Sequence, residues 1–124
     1  MTALHYLELT QLASCLRTRK VSPVEVTRAQ LERIAAMDGS LGSYARVTSD
    51  EALAQAQQAE SEIVAGRYRG TLHGVPIGIK DLFQVRGVVS AAGMAIHRDV
   101  RPAEDATVVA RLKQAGAVIL GSSR

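Results

Sequence analysis

A lysine at the end of an apolar run is the residue best placed for chemistry in this sequence. In 74-GVPIGIKDLF-83, Lys80 follows a segment typical of a buried strand, and Leu82 and Phe83 come shortly after it. Open α/β sheets have their clefts at the carboxyl ends of the strands. In an apolar cleft the pKa of a lysine falls from about 10.4 toward neutrality, because burial disfavours the charged amine. Lys80 is therefore a candidate general base.

A surface lysine paired with Asp81 is the alternative interpretation of Lys80. In either case we expect Asp81 to tether the following loop or to cap nearby N–H groups. A phosphate-binding loop would need the pattern GxxxxGK[ST]. Here Ile79 separates Gly78 from Lys80, and Asp81 stands where a hydroxyl would coordinate magnesium. The sequence therefore argues against a nucleotide site.

The other residues that could do chemistry lie apart from one another. Cys15 is the only cysteine, so an internal disulfide is excluded, and its helical surroundings, LTQLASCLR, favour a structural thiol. His5 and His97 have no cluster of Asp, Glu or Cys around them, so we expect no metal site. His73 precedes the apolar run and is expected to serve packing. Ser90 is expected to support the backbone near the lysine.

Composition and charge argue against several classes of function. The 124 residues are 47% hydrophobic and 22% charged, as in a globular domain or part of one. The net charge of +3 is spread along the chain, and the densest basic run, 17-RTRK-20, has no aromatic neighbour, so we expect no nucleic-acid partner. No signal-peptide pattern is evident, and the longest apolar run, AGAVILG, is too short to span a membrane. We expect a soluble, cytoplasmic protein.

Helices and strands alternate along the sequence, which predicts an α/β fold whose sheet is covered on both faces. Apolar residues at helical spacing predict four helices, over about residues 10–19, 23–37, 49–65 and 106–115. Short apolar runs predict strands at Val75–Ile79 and Ala117–Leu120, and Tyr44–Val47 is a candidate third strand. Residues 84–104 show no period and are predicted to form a long connection.

Capping signals mark where these helices begin and end. The predicted N-terminal caps and C-terminal stops are Ser22 with Pro23 and Glu25, Thr48 with Glu51, Asp105, Gly66 and Gly116. They agree with the bounds that the apolar spacing gives.

Three stretches of the sequence resemble the amidase signature family. They are SPVEVTRAQLERI, GTLHGVPIGIKDLF and EDATVVARLKQAGAVILG, in this order and with natural spacing over essentially the whole chain. The resemblance implies that residues 1–124 are the N-terminal fragment of a single amidase-signature domain. The implied fold is the N-terminal part of an α/β/α sandwich with a mixed, largely parallel central sheet.

The same resemblance implies a reaction and a catalytic role for Lys80. Family members cleave carboxamide C–N bonds with a Ser–cis-Ser–Lys triad, without metal or cofactor, and Lys80 matches the lysine of that triad. Its neutral amine takes a proton from the middle serine, which takes one from the nucleophilic serine. The two serines belong to a GGSSGG-like segment outside these 124 residues. The resemblance implies a small-molecule amide substrate of open identity and is compatible with a homo-oligomer.

The stretch 121-GSSR-124 differs from that serine segment, since no glycines follow it to form an oxyanion hole. We interpret it as a strand end followed by a polar tail. The strand Ala117–Leu120 is apolar on both faces, and we expect it to form an open edge of the sheet. Such an edge would make the isolated chain prone to aggregation.

Three functions remain as hypotheses. The first is an amidase that hydrolyses linear amides. The second is the A subunit of an aminoacyl-tRNA amidotransferase, which uses the same triad to release ammonia from glutamine; the KDL of this sequence, where those subunits tend to have KDN, favours the amidase. The third is a non-catalytic truncated product, motivated by the missing serines. We therefore expect the 124 residues alone to show no amidase activity.

Overall fold

The computed structural model describes residues 3–90, 92, 94–97 and 99–124. Within them every predicted helix and strand is present, including the candidate third strand. The elements are α1 (Leu9–Arg17), α2 (Pro23–Leu41), β1 (Tyr44–Val47), α3 (Ser49–Val64), β2 (Pro76–Lys80), α4 (Thr107–Gln114) and β3 (Val118–Ser123), with single 3₁₀ turns at Leu4–Tyr6 and Ala95–His97. The largest differences from the prediction are at C-terminal ends, where α2 and β3 run several residues further.

The three strands form one mixed sheet in the order β1-β3-β2. β2 pairs with β3 in parallel, and β1 pairs with β3 in the antiparallel sense. This confirms the predicted α/β class with a mixed sheet. It also shows that the open edge was assigned to the wrong strand: β3 is the central strand, and its backbone is paired on both sides. The free edges in the described part of the chain belong to β1 and β2.

The central strand β3 is buried on both faces. Val118 and Leu120 pack on one face against Ala52 and Ala56 of α3, with partly buried residues of α2 completing this core. On the other face Ile119 packs with residues of β2, α4 and the connection between them, namely Ile79, Val109 and Val85. The small residues on α3 allow the helix to lie close to the sheet, as their spacing predicts.

Only one of the predicted N-terminal caps is confirmed. Ser22 Oγ accepts a hydrogen bond from the N–H of Glu25 at 3.0 Å. Thr48 stands at the N-cap position of α3, but its side chain makes no capping hydrogen bond; its hydroxyl donates to the carbonyl of Leu120 at 3.2 Å and so joins the helix start to β3. Asp105 does not cap α4 either, because the helix begins one residue later than a cap at this position requires. Long-range partners explain both errors.

A buried polar cluster joins the end of α3 to the loop that leads into β2. Glu62 Oε2 accepts from Arg69 Nε at 2.7 Å and lies 2.6 Å from Arg69 Nη2. Arg69 Nη1 donates to the carbonyl of Gln114 at 2.9 Å, in the last turn of α4. Burial alone would raise the pKa of Glu62, but hydrogen bonds from Arg69 and Gln58 and the charge of Arg69 hold it below its usual value. The cluster therefore ties α3, α4 and the loop before β2 together.

His73 lies fully buried beside this cluster, which confirms its predicted packing role. Its Nδ1 accepts from the N–H of Arg69 at 3.0 Å, so the proton of the neutral ring is on Nε2. Nε2 is 3.9 Å from Glu62 Oε2 and has no hydrogen-bond partner among the residues that the structure describes. Burial lowers the pKa of His73; the Glu62 carboxylate opposes this shift and the Arg69 charge adds to it. The ring is therefore neutral at pH 7.

Replacing Gly121 by alanine should destabilise the fold strongly. A Cβ atom there would collide with the carbonyl oxygen of Arg46 and lie 2.9 Å from Cα of Val47, both on β1. We expect the free energy of unfolding to fall by about 3 kcal/mol or more, because backbone atoms cannot move aside cheaply. Gly39→Ala is the matched control: an added Cβ meets nothing within 4 Å on α2 and should stabilise the helix by about 0.5–1 kcal/mol. Urea unfolding of both variants measures the difference, and equal stabilities would contradict the described β1–β3 contact.

Acid should destabilise the chain through His73 before the carboxylates titrate. The pKa of His73 is lower in the folded chain than its unfolded value of 6.5, so the unfolded chain binds the proton first. The stabilisation is complete above about pH 6.5 and declines as the pH falls, by at most about 1.4 kcal/mol per pH unit. His73→Asn keeps an acceptor near Nδ1 but does not titrate. Between pH 7 and pH 5 its unfolding free energy should change less than that of the wild type, whereas His5→Asn, at a partly exposed position, should behave like the wild type. Parallel pH curves for all three proteins would refute the role of His73.

Candidate active site

Lys80 is the last residue of β2, and its side chain is exposed. Its Cα is paired with that of Ser123 on β3, and the N–H of the next residue, Asp81, donates to the carbonyl of Ser123 at 2.9 Å. Because β2 and β3 are parallel, their carboxyl ends meet at the same edge of the sheet. Buried Ile79 fixes the strand directly below the lysine. The lysine therefore projects from a rigid strand end, as the sequence predicts.

The predicted apolar cleft around Lys80 is not formed by the described residues. Leu82 and Phe83, which were expected to provide its wall, are 57% and 40% exposed. The predicted cleft was therefore wrong for this part of the molecule. Asp81 is buried while Lys80 is exposed, and no ion pair joins them in the part of the chain that the structure describes. The alternative interpretation, a surface ion pair between Lys80 and Asp81, is therefore not supported either. Asp81 instead tethers its loop through its backbone N–H.

Two serines, Ser122 and Ser123, lie nearer to the lysine than the sequence analysis expected. The prediction of a polar tail was wrong here: both belong to β3, and Ser122 is buried opposite Ile79. Ser123 is the direct neighbour of Lys80 across the strand pair. The signal that could have found this contact is the parallel pattern of the two runs, PIGIK and VILGSS, each of which turns polar at its end.

The connection between β2 and α4 is folded back on itself by backbone hydrogen bonds. Ser90 N–H donates to the carbonyl of Val100 at 3.0 Å, and Gly87 N–H donates to that of Pro102 at 2.9 Å. Ser90 thus joins two parts of this connection through its backbone, and its predicted support near Lys80 stays a prediction. The residues at 91, 93 and 98 of this connection lie outside the described part of the chain.

Asp105 anchors the far end of that connection. Its carboxylate accepts from the N–H of Arg86 at 2.8 Å and from Lys113 Nζ at 2.9 Å. Burial would raise the pKa of Asp105, but these hydrogen bonds and the charges of Lys113 and Arg86 lower it below the usual value. The amine of Lys113 is therefore engaged in an ion pair with Asp105, whereas Lys80 has no ion pair among the described residues.

The other candidates do not assemble into a second site. Among the described residues there is no group of three or more His, Cys, Asp or Glu side chains that could hold a metal ion. Cys15 is half-buried against the core of α1 and α2. Of the helices in the described ranges, none is long and apolar enough to cross a membrane. What the arrangement offers chemically is an exposed primary amine at the carboxyl edge of a sheet, on a residue paired with Ser123 of the neighbouring strand.

The chain matches the family model named Amidase over residues 25–124. It is 53% identical over 119 residues to the putative amidase AmiD of Mycobacterium tuberculosis, a match that covers 96% of this chain and 25% of the relative. It is also 47% identical over 115 residues to the A subunit of the glutamyl-tRNA(Gln) amidotransferase of Geobacter sulfurreducens, covering 93% of this chain and 24% of that relative.

Solved structures agree with these relatives. The peptide amidase from Stenotrophomonas maltophilia superposes with a TM-score of 0.91 at 33% identity, covering 96% of this chain and 25% of the enzyme. A bacterial aryl acylamidase of the amidase signature family has the same fold, with a TM-score of 0.92 at 24% identity, covering 99% of this chain and 26% of that enzyme. The chain thus spans about a quarter of the length of the proteins that it matches.

The family model covers more than half of the chain, and the motifs around Lys80 and β3 lie within the matched residues. The chain therefore belongs to the amidase signature family.

Proposed function

We propose that this chain is the N-terminal part of a single amidase-signature domain that hydrolyses carboxamide C–N bonds, with Lys80 as the general base of a Ser–cis-Ser–Lys triad. The observation that carries the proposal is the position of Lys80 at the carboxyl end of β2, on a strand fixed by buried Ile79. The substrate is a small-molecule amide, and the reaction needs neither metal nor cofactor. The proposal places it in the cytoplasm.

The proposed reaction uses Lys80 as a proton acceptor. The neutral amine removes a proton from the middle serine, which removes the proton of the nucleophilic serine as that oxygen attacks the amide carbon. Both serines come from the part of the domain outside this chain, which also closes the wall that Leu82 and Phe83 leave open. Closure of that wall would desolvate the amine and favour its neutral form, which a general base requires.

The ion pairs of the described residues support the role proposed for Lys80. Two other basic side chains are held in ion pairs: Arg69 with Glu62, and Lys113 with Asp105. Lys80 has no such partner in the described residues, and the strand that carries it is held on one side by β3. The backbone of Lys80 is held in the sheet while its amine is unpaired among these residues. Such a lysine is suited to exchange protons with the two serines that the rest of the domain would supply.

A second candidate is the A subunit of an aminoacyl-tRNA amidotransferase, in which the same triad would release ammonia from glutamine. The 47% identity to the Geobacter relative favours it. The higher identity to the mycobacterial amidase, 53%, and the Leu82 that follows Lys80-Asp81 favour the amidase.

Replacing Lys80 should abolish amide hydrolysis in a hybrid enzyme. The hybrid joins this chain to the remaining length of the mycobacterial relative, in place of the matching quarter. We expect it to hydrolyse a primary amide, and we expect Lys80→Ala to lower kcat by at least about 100-fold, because general-base catalysis contributes on this scale. Stopped assays of released ammonia measure the rate.

Lys20→Ala is the matched control, because Lys20 is an exposed lysine in the turn that follows α1. It should leave kcat unchanged, and both variants should unfold at the wild-type temperature. A hybrid that folds but does not hydrolyse amides would contradict the proposed activity. An active hybrid that tolerates Lys80→Ala would contradict the role of Lys80 alone.

The choice of substrate separates the two candidate functions. If the hydrolase is correct, the hybrid should release ammonia from simple linear amides at least as well as from glutamine, without a partner protein. Parallel progress curves on both substrates measure the ratio. A strong preference for glutamine, on the order of 100-fold in kcat/KM, would favour the amidotransferase instead.

A further inference from the structure

Three side chains in a row share one face of the sheet at its carboxyl edge. Tyr44 on β1 is paired with Ser123 on β3, and Ser123 is paired with Lys80 on β2. Residues paired directly across neighbouring strands project from the same face. The side chains of Tyr44 and Lys80 therefore stand on the same side of the sheet, with β3 between them.

The ring of Tyr44 crosses β3 and reaches β2 at a glycine. Its Oη lies 3.1 Å from the position that a Cβ of Gly78 would occupy, and two ring carbons lie 3.7 Å from it. Gly121, the β3 residue paired with Gly78, also has no side chain. The ring thus lies over the backbone of Gly78, whereas at Gly121 the space that a side chain would need is taken by the backbone of Arg46 and Val47 on β1.

The position of Tyr44 is fixed from its backbone outward. Asp38, near the end of α2, accepts from the N–H of Ser43 at 2.7 Å and from the N–H of Tyr44 at 3.2 Å. The phenol is partly buried, and this burial, together with the nearby Asp38 charge, raises the pKa of Tyr44. The side chain is therefore a neutral, anchored ring.

We propose that Tyr44 is a positioning residue for Lys80. Gly78 and Lys80 are two residues apart on the same face, about 6.6 Å along the strand, a distance that a lysine stem can span. Without the ring, the stem could fold back over the bare backbone of Gly78. With the ring in place, the stem extends past the sheet edge, in agreement with the exposed side chain of Lys80. The catalytic consequence rests on the proposed function; the placement of the ring does not.

A double-mutant cycle tests the placement by thermal unfolding of the hybrid enzyme, without reference to activity. Gly78→Ala should lower the melting temperature when residue 44 is tyrosine, because the new methyl group meets the hydroxyl. In a Tyr44→Phe background the same change should be better tolerated, because the nearest atoms are then the ring carbons at 3.7 Å. Equal effects in both backgrounds would overturn the placement of the hydroxyl and with it the proposal.

Kinetics of the hybrid enzyme test the positioning role. Tyr44→Leu keeps an apolar residue that cannot reach Gly78, and we expect it to lower kcat by about 10- to 100-fold with KM nearly unchanged, since a misplaced catalytic group costs on this scale. Tyr44→Phe keeps the ring and should retain most of the activity. Tyr6→Leu is the matched control at a ring that is 69% exposed, and it should change neither constant.

The outcomes separate this proposal from the proposed function. Full kcat in Tyr44→Leu, or an equal loss in Tyr44→Phe and Tyr44→Leu, would overturn the positioning role. A loss of kcat that only matches a loss of folded protein, measured by circular dichroism on the same samples, would also overturn it. An inactive wild-type hybrid would instead contradict the amidase function. In that case the placement of the ring is measured directly, by nuclear Overhauser effects between the Tyr44 ring and the methylene groups of Lys80. Tyr44→Leu, which has no ring, is the control. Absence of these effects in the wild type would overturn the placement.

Discussion

The parallel pairing of β2 with β3 is the constraint on which the surroundings of Lys80 depend. β3 contributes side chains to two separate cores, so it cannot shift along β2 without exposing Val118 and Leu120 on one face or Ile119 on the other. A slip of one residue would reverse every side chain on the strand. Since the register of β2 is set by its pairing with β3, the same apolar packing fixes the position of Lys80 relative to the edge of the sheet.

The buried polar cluster of Glu62 and Arg69 fixes the position of the loop before β2 more than it adds to the free energy of unfolding. Removing the Glu62 carboxylate and the Arg69 guanidinium from water is costly, and their contact offsets this cost only because the geometry is good and Gln58 satisfies a second carboxylate oxygen. What the cluster provides is a fixed route for the chain from α3 to β2. The N–H of Gly74 donates to the carbonyl of Gly116 at 2.9 Å, and a side chain at Gly116 would collide with the ring of His73. The loop, the end of α4 and the start of β3 therefore fit together in one way.

Local signals in the sequence predict the elements of this fold, and nonlocal pairing decides what they miss. The N-cap at Ser22 and the alanine stripe of α3 depend on neighbours a few residues away, and both predictions are confirmed. The Gly-Ser-Ser end of β3 has no strand propensity of its own. It is a strand because β1 and β2 supply hydrogen-bond partners on both sides. Thr48 has a similar explanation, since its hydroxyl finds a carbonyl 72 positions away in place of its own helix.

The candidate site likewise combines features that local patterns predict with neighbours that only strand pairing brings together. The chemistry of Lys80 and its place at a strand end could be predicted, because a charged residue after an apolar run and before a turn is a local pattern. Ser123 was missed, although the matching polar ends of the two parallel runs point to it. Tyr44 could not be predicted, because it becomes a neighbour only through the strand order β1-β3-β2, which no local pattern encodes. That order places Gly78 beneath the Tyr44 ring, two residues before Lys80 on the same strand. A glycine inside a strand weakens it, since it costs more backbone entropy and packs no side chain. The glycine at position 78 is accounted for if the sheet gives up a side chain there to admit the Tyr44 ring, which then occupies space that the lysine stem could otherwise reach. The glycine at position 121 is required instead by the close approach of the β1 backbone.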